Sequence, residues 1–120
     1  MDRHTAELLL VDENSTERRV LSAVLRRMLD CKVVSAGLGE LAFWLAQGRR
    51  FTAAVVVAPR FEEAMRLAGQ LRRADGDLPI VLLGGGGISS GRVAPCVWLV
   101  TPADPRLLEI TLRTLLRGRP

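Results

Sequence analysis

The stretch LLLVDENS, residues 8–15, decides how the rest of the chain is read. Leu8, Leu9, Leu10 and Val11 form an unbroken apolar run, with no polar residue at alternate positions. Such a run suits a strand covered on both faces rather than one with a wet side. It ends in two carboxylates, Asp12 and Glu13, and Ser15 then stands where a helix N-cap is expected. A buried strand that brings acids to the rim and turns directly into a helix is the opening of a β-α unit. In open α/β sheets the ligand crevice lies at that carboxyl end.

The same character recurs along the chain. Residues 53–58 (AAVVVA), 79–83 (PIVLL) and 96–100 (CVWLV) are short apolar runs, and 32–35 (KVVS) is a weaker one. Helical periods lie between them. In 16–29 the residues Val20, Leu21, Val24, Leu25, Met28 and Leu29 are read as one apolar stripe opposite the arginines. Residues 38–47 form a shorter helix ended by Gly48. Residues 61–74 have Glu62 and Glu63 in the first turn and Arg72 and Arg73 in the last, which complements the helix dipole. Residues 104–117 begin with Asp104 as cap and Pro105 at the first helical position. Strict alternation of this kind predicts an α/β fold, a flavodoxin-like doubly wound sheet of five parallel strands in the order 2-1-3-4-5. Residues 84–95, GGGGISSGRVAP, hold five glycines and a proline, so the fourth helix is expected to be reduced or missing, replaced by a loop or one short turn. That order also puts Cys31 and Cys96 toward opposite edges, where they do not meet.

Composition narrows the function classes. The 120 residues suit one domain, 1–120, and 48% hydrophobic content is too high for a disordered chain. No apolar run approaches the ~20 residues of a membrane span. The polar start MDRHTAE carries no signal-peptide pattern, and a cytoplasmic location is expected. The net charge of +4 rests on sixteen arginines and one lysine, spread along the chain without a recognition-helix motif. Direct nucleic-acid contact is therefore not expected. The glycine run has no P-loop continuation, since Gly91 is followed by Arg92 and Val93. His4 lies in a polar tail with no catalytic partners in view.

The residues LLLVDEN at the end of the first strand, LPIVLLG for the fourth and VTPADP before the last helix make the chain resemble a response-regulator receiver domain over essentially its whole length. The resemblance implies an acidic pair holding Mg2+ on strand one. It also implies a phosphate-accepting aspartate ending strand three, a hydroxyl ending strand four and a lysine ending strand five. Only part of that set is present. Asp12 and Glu13 match the metal pair, but the acceptor position falls at Val57, the hydroxyl position at Gly84 and the lysine position at Thr101. No Asp occurs between Asp30 and Asp75, and the only lysine is Lys32. Phosphoryl transfer to a carboxylate needs a nucleophile and charge neutralisation, so conventional phosphorylation is not expected. The chain thus resembles a pseudo-receiver, most like the N-terminal domain of flagellar σ54-dependent transcriptional activators.

What the resemblance implies is a regulatory, non-enzymatic domain excised from a longer regulator, acting by dimerisation or by docking partners, including other domains of its own chain. No cofactor is expected, with Mg2+ at Asp12 and Glu13 as the one candidate. Alternatively the two acids are solvated, bonded to amides of the next loop, or paired with an arginine such as Arg60. In the last helix Leu108, Leu112, Leu115 and Leu116 form the sheet-facing stripe. Leu107, Ile110, Thr111 and Thr114 fall outside it and, with Trp98 on the neighbouring strand, form the candidate interface. Two other readings are an unorthodox receiver still switched by Mg2+ or phosphorylation, and a sensor of small ligands in the vacated crevice. Glu62 and Glu63 are judged too far along their helix to replace the missing aspartate.

Overall fold

The computed structural model describes residues 6–37, 40, 44, 48, 50–84, 91–93, 96–100 and 105–118, with 91–100 and 118 described by backbone alone. The strands are β1 (Glu7–Asp12), β2 (Lys32–Ala36), β3 (Ala53–Val57), β4 (Ile80–Gly84), β5 (Gly91–Val93) and β6 (Cys96–Val100). The helices are α1 (Ser15–Leu29), α2 (Phe61–Ala74) and α3 (Pro105–Gly118). Glu40 and Trp44 are helical, as the expected 38–47 helix requires, and the other residues of that segment except Gly37 and Gly48 lie outside the described set.

The sheet order is β2-β1-β3-β4-β6-β5. Its first five strands are parallel and reproduce the predicted 2-1-3-4-5 arrangement. The difference lies in the glycine-rich segment, where a loop or single turn is expected. Gly91–Val93 instead forms a short strand, antiparallel to β6, with Val93 opposite Cys96. Three residues suffice because the hairpin partner follows at once in sequence and closes the edge locally. Residues 85–90 lie outside the described set.

Alternation along the strands divides the core in two. Leu9, Val11, Ala54, Val56 and Leu82 face α2, where Ala64, Leu67, Ala68 and Leu71 receive them. Leu8, Leu10, Val55, Val81 and Leu83 face the other way, onto Leu25 and Leu29 of α1 and Leu108 and Leu112 of α3. Cys31, just before β2, is buried in this second layer as a free thiol, and β1, β3 and β4 separate β2 from the strand of Cys96.

Two expectations about α1 need correcting. Its N-cap is Asn14, not Ser15: Asn14 has extended backbone and its side chain accepts from the Glu17 amide at 2.9 Å. The helix simply starts one residue earlier. The apolar stripe is also narrower than its composition suggests. Leu25 and Leu29 are buried, with Leu21 and Met28 partly so, but Val20 and Val24 are 58% and 44% exposed. At 100° per residue those valines lie about 140° and 100° round from Leu25, beyond the arc that touches the sheet. The helix closes with Asp30 in the left-handed region (φ 50°), its amide donating to the Arg26 carbonyl. Arg113 of α3 then donates to the Met28 carbonyl at 2.7 Å, tying α3 to a carbonyl in the last turn of α1.

Candidate functional site: an acidic crevice at the carboxyl ends of β1, β3 and β4

Strand β1 carries Asp12 to the end of the ladder, where it pairs in register with Val57 of β3. Asp12 is only 3% exposed. One carboxylate oxygen, Oδ1, accepts from the Asn14 amide at 3.0 Å, so the expectation that this acid bonds the following loop is met. The other, Oδ2, is buried with no hydrogen-bond partner among the described residues. The Glu17 carboxyl, one turn into α1, lines the same crevice as the Asp12 carboxyl. Burial, with Glu17 adding to it, raises the Asp12 pKa to about 6.

The arginine brought to this rim is Arg18, not Arg60. Its Nη1 donates to the Asp12 backbone carbonyl at 2.8 Å, and its Nη2 stands 3.8 Å from a Glu40 carboxylate oxygen. The guanidinium passes over Gly37, where a Cβ would sit 2.7 Å from Nη1. Glycine at 37 thus leaves the space that Arg18 occupies. Arg18 is committed to a carbonyl and to Glu40, and its charge lowers the Asp12 pKa less than burial and Glu17 raise it.

A crevice of about 530 Å³ opens here, with Asp12, Glu13, Glu17, Glu63, Val57 and Gly84 among its lining residues. Of the positions singled out in the sequence, Asp12, Glu13, Val57 and Gly84 all line this crevice, while Thr101 lies outside the described residues. Two lining acids were missed in the sequence. Glu17 follows Asp12 by five residues, and only the turn through Asn14 into α1 brings it back. Glu63 was set aside as too distant along its helix, yet it lines the crevice because α2 begins close to the end of β3.

Chemically, the β3 position offers a hydrocarbon side chain and no nucleophile. The Mg2+ that the fold family implies would find Asp12 and Glu13, and the orphaned Oδ2 is a ready ligand. Mg2+ is held by one or two carboxylates with several retained waters, which this donor set can supply. Among the described residues no three His, Cys, Asp or Glu side chains already converge around one point. Of the candidate interface residues, Leu107 and Ile110 are 44% and 62% exposed. Thr114 is exposed and its hydroxyl donates to the Ile110 carbonyl, Thr111 is partly exposed, and the Trp98 side chain lies outside the described set.

Comparison with solved structures places this geometry. Over 98% of both chains it resembles a response regulator receiver protein from Sinorhizobium medicae, at 21% identity and a TM-score of 0.67. The fold is that of the response-regulator receivers. A signal receiver domain of an HD domain-containing protein from Pseudomonas fluorescens is similar at 20% identity, covering 98% of this chain and 91% of that one (TM-score 0.71). A chain from the complex of the histidine kinase ThkA with the response regulator TrrA matches at 21% identity, covering 92% and 98% (TM-score 0.67). No protein-family model matches the chain, and no curated protein does. At these identities the shared property is the receiver fold. No helix among the described residues is long and apolar enough to cross a membrane.

Proposed function

We propose that this chain is a receiver-like regulatory domain that works through protein contacts and without phosphorylation. The observation that carries the reading is Val57 in register with Asp12, a hydrocarbon where the receiver reaction needs a carboxylate nucleophile. Regulation in this reading is a shift in assembly or docking populations rather than a reaction, and the domain is not an enzyme. Its setting is a transcription regulator of the flagellar σ54-activator type, with the other domains of the parent chain among its partners.

The contact surface we assign is one flank of α3. With Leu108 and Leu112 turned into the core, Leu107 and Thr111 fall on the side away from Glu109 and Arg113, and Ile110 and Thr114 point outward. Glu109 and Arg113 are paired at 2.9 Å on the α1 side. An apolar pair rimmed by threonines suits self-association by a two-fold contact. The similar structure of a response regulator crystallised with a histidine kinase supports contact-based action for this fold.

Two measurements test the reading. Incubation with a small phosphodonor and Mg2+, followed by intact mass, should leave the mass unchanged, and a phosphoryl adduct would overturn phosphorylation independence. Light scattering should give a dimer mass that Leu107→Glu with Ile110→Glu reduces to the monomer. A monomer at high protein concentration would remove the dimer.

A further inference from the structure

We infer that the cavity between α1 and the edge strand β2 binds a phosphate group, with Arg19, Arg26 and the Ser22 hydroxyl as its principal donors. The ligand class is inorganic phosphate or a small organic phosphate monoester. This goes beyond the contact-based function and does not depend on it.

Helix geometry assembles the site. At 100° per residue, Ser15, Arg18, Arg19, Ser22 and Arg26 fall within about 100° of arc on one flank of α1. That flank borders the buried Leu25 and Leu29 and meets β2, the outermost strand of the sheet, where Arg26 donates to the Val33 carbonyl at 3.2 Å. Alternation along β2 puts Ser35 on the same face as Val33, the face that packs on α1. Ser35 and the five residues of the α1 flank line a cavity of about 260 Å³.

The observation that points to a ligand is the Ser22 hydroxyl. Ser22 is only 5% exposed, and its Oγ is buried with no hydrogen-bond partner among the described residues. A serine inside a helix can donate to the carbonyl four residues back, and this one does not. A buried polar atom without a partner is costly. An acceptor held in the cavity meets that need.

Charge fixes the class of ligand. None of the described residues lining the cavity carries a carboxylate. Glu40 stands 3.8 Å from Arg18 and offsets its charge, but Arg19 and Arg26 form no ion pair among the described residues. A guanidinium has several N–H donors, so Arg26 keeps most of its own after bonding Val33. Two guanidinium groups without a counter-ion, with hydroxyls on both walls, match an anion of about two charges and three acceptor oxygens. A phosphate group is that anion. A carboxylate, with one charge and two oxygens, leaves donors unused. The space equals that of about nine waters at ~30 Å³ each, which holds the phosphate group while the rest of a larger ligand stays in solvent.

The test is titration of the folded chain at pH 7.5 and constant ionic strength with inorganic phosphate, glycerol 3-phosphate and acetate. Calorimetry and the amide shifts of Ser22 and Ser35 report binding. Both phosphates should saturate in the millimolar range or tighter, and acetate should not. The tighter of the two phosphates says whether the ligand is the free ion or a monoester. Arg19→Gln should weaken binding about tenfold. Arg73→Gln removes the same charge from an exposed position on α2 and should leave binding unchanged. Ser22→Ala should also weaken binding about tenfold, yet melt no lower than the unmodified chain without phosphate, because its hydroxyl has no bond to lose. Phosphate should raise the melting temperature of the unmodified chain and of Arg73→Gln, and raise it less in the two cavity variants. The inference is overturned if neither phosphate saturates or if acetate binds as tightly. It is equally overturned if Arg19→Gln loses no more affinity than Arg73→Gln, or if Ser22→Ala binds as the unmodified chain does.

Discussion

Asp12 and Val57 stand side by side at the last ladder positions of two adjacent parallel strands. A buried carboxylate and an isopropyl group therefore share the place where a receiver keeps two acids. The consequences for charge, stability and ion binding can each be measured.

Returning the acid is the most direct perturbation. Val57→Asp sets a second carboxylate beside the buried Asp12. Without divalent ions it should destabilise the fold by roughly 1–3 kcal/mol, the cost of a poorly solvated polar group. Adding Mg2+ should recover most of that loss, because the ion neutralises both charges. Urea unfolding of the variant, with Mg2+ and with EDTA, checks this; a loss that Mg2+ leaves untouched would contradict it.

The raised pKa of Asp12 gives stability a pH dependence of unusual sign for a carboxylate. In the unfolded chain the group titrates near 3.8, and in the folded chain near 6. Between those values the folded state binds more protons than the unfolded state. The Asp12 contribution therefore falls as pH rises through that window, and its penalty is complete above it. The difference amounts to a few kcal/mol at most. Comparing chemical denaturation of the unmodified chain and Asp12→Asn at pH 4.5 and 7.5 isolates it: the variant should gain stability relative to the unmodified chain at the higher pH.

The cap of α1 separates two neighbouring residues. Asn14→Ala removes the acceptor for the Glu17 amide and should cost about 1 kcal/mol. Ser15→Ala, one residue on, should stay within about 0.5 kcal/mol. Equal effects in thermal melts would mean that the cap is misplaced.

On the same helix, Val24 and Leu25 are adjacent yet differ in burial. Leu25 is 1% exposed and Val24 is 44% exposed. Leu25→Ala should cost about 2–5 kcal/mol through lost burial and a cavity. Val24→Ala should be neutral or stabilising by up to about 0.7 kcal/mol, since alanine is the better helix former. Denaturant midpoints of the two variants decide the matter.

Much of the fold was legible because its signals are local. Unbroken apolar runs such as Leu8–Val11 mark strands covered on both faces, and the acids and arginines of residues 61–74 mark both ends of α2. The strand order is the flavodoxin-like one that five strands alternating with helices fit. The stretch at 91–93 was not legible. A glycine-rich segment carries no strand signal, and its pairing with β6 comes from a partner rather than from its own residues.

The sequence by itself determined what the site lacks. With no Asp between residues 30 and 75 and no lysine but Lys32, no alignment supplies the receiver's nucleophile or its cation. Which acids remain in play was decided only by tertiary structure. Glu17 and Glu63 have no motif in common with Asp12, and they meet it because the ends of β1 and β3 direct α1 and α2 over one crevice. The Glu17 charge acts on Asp12 through space, and burial acts on it through the water it excludes. Neither quantity is written in the order of the residues.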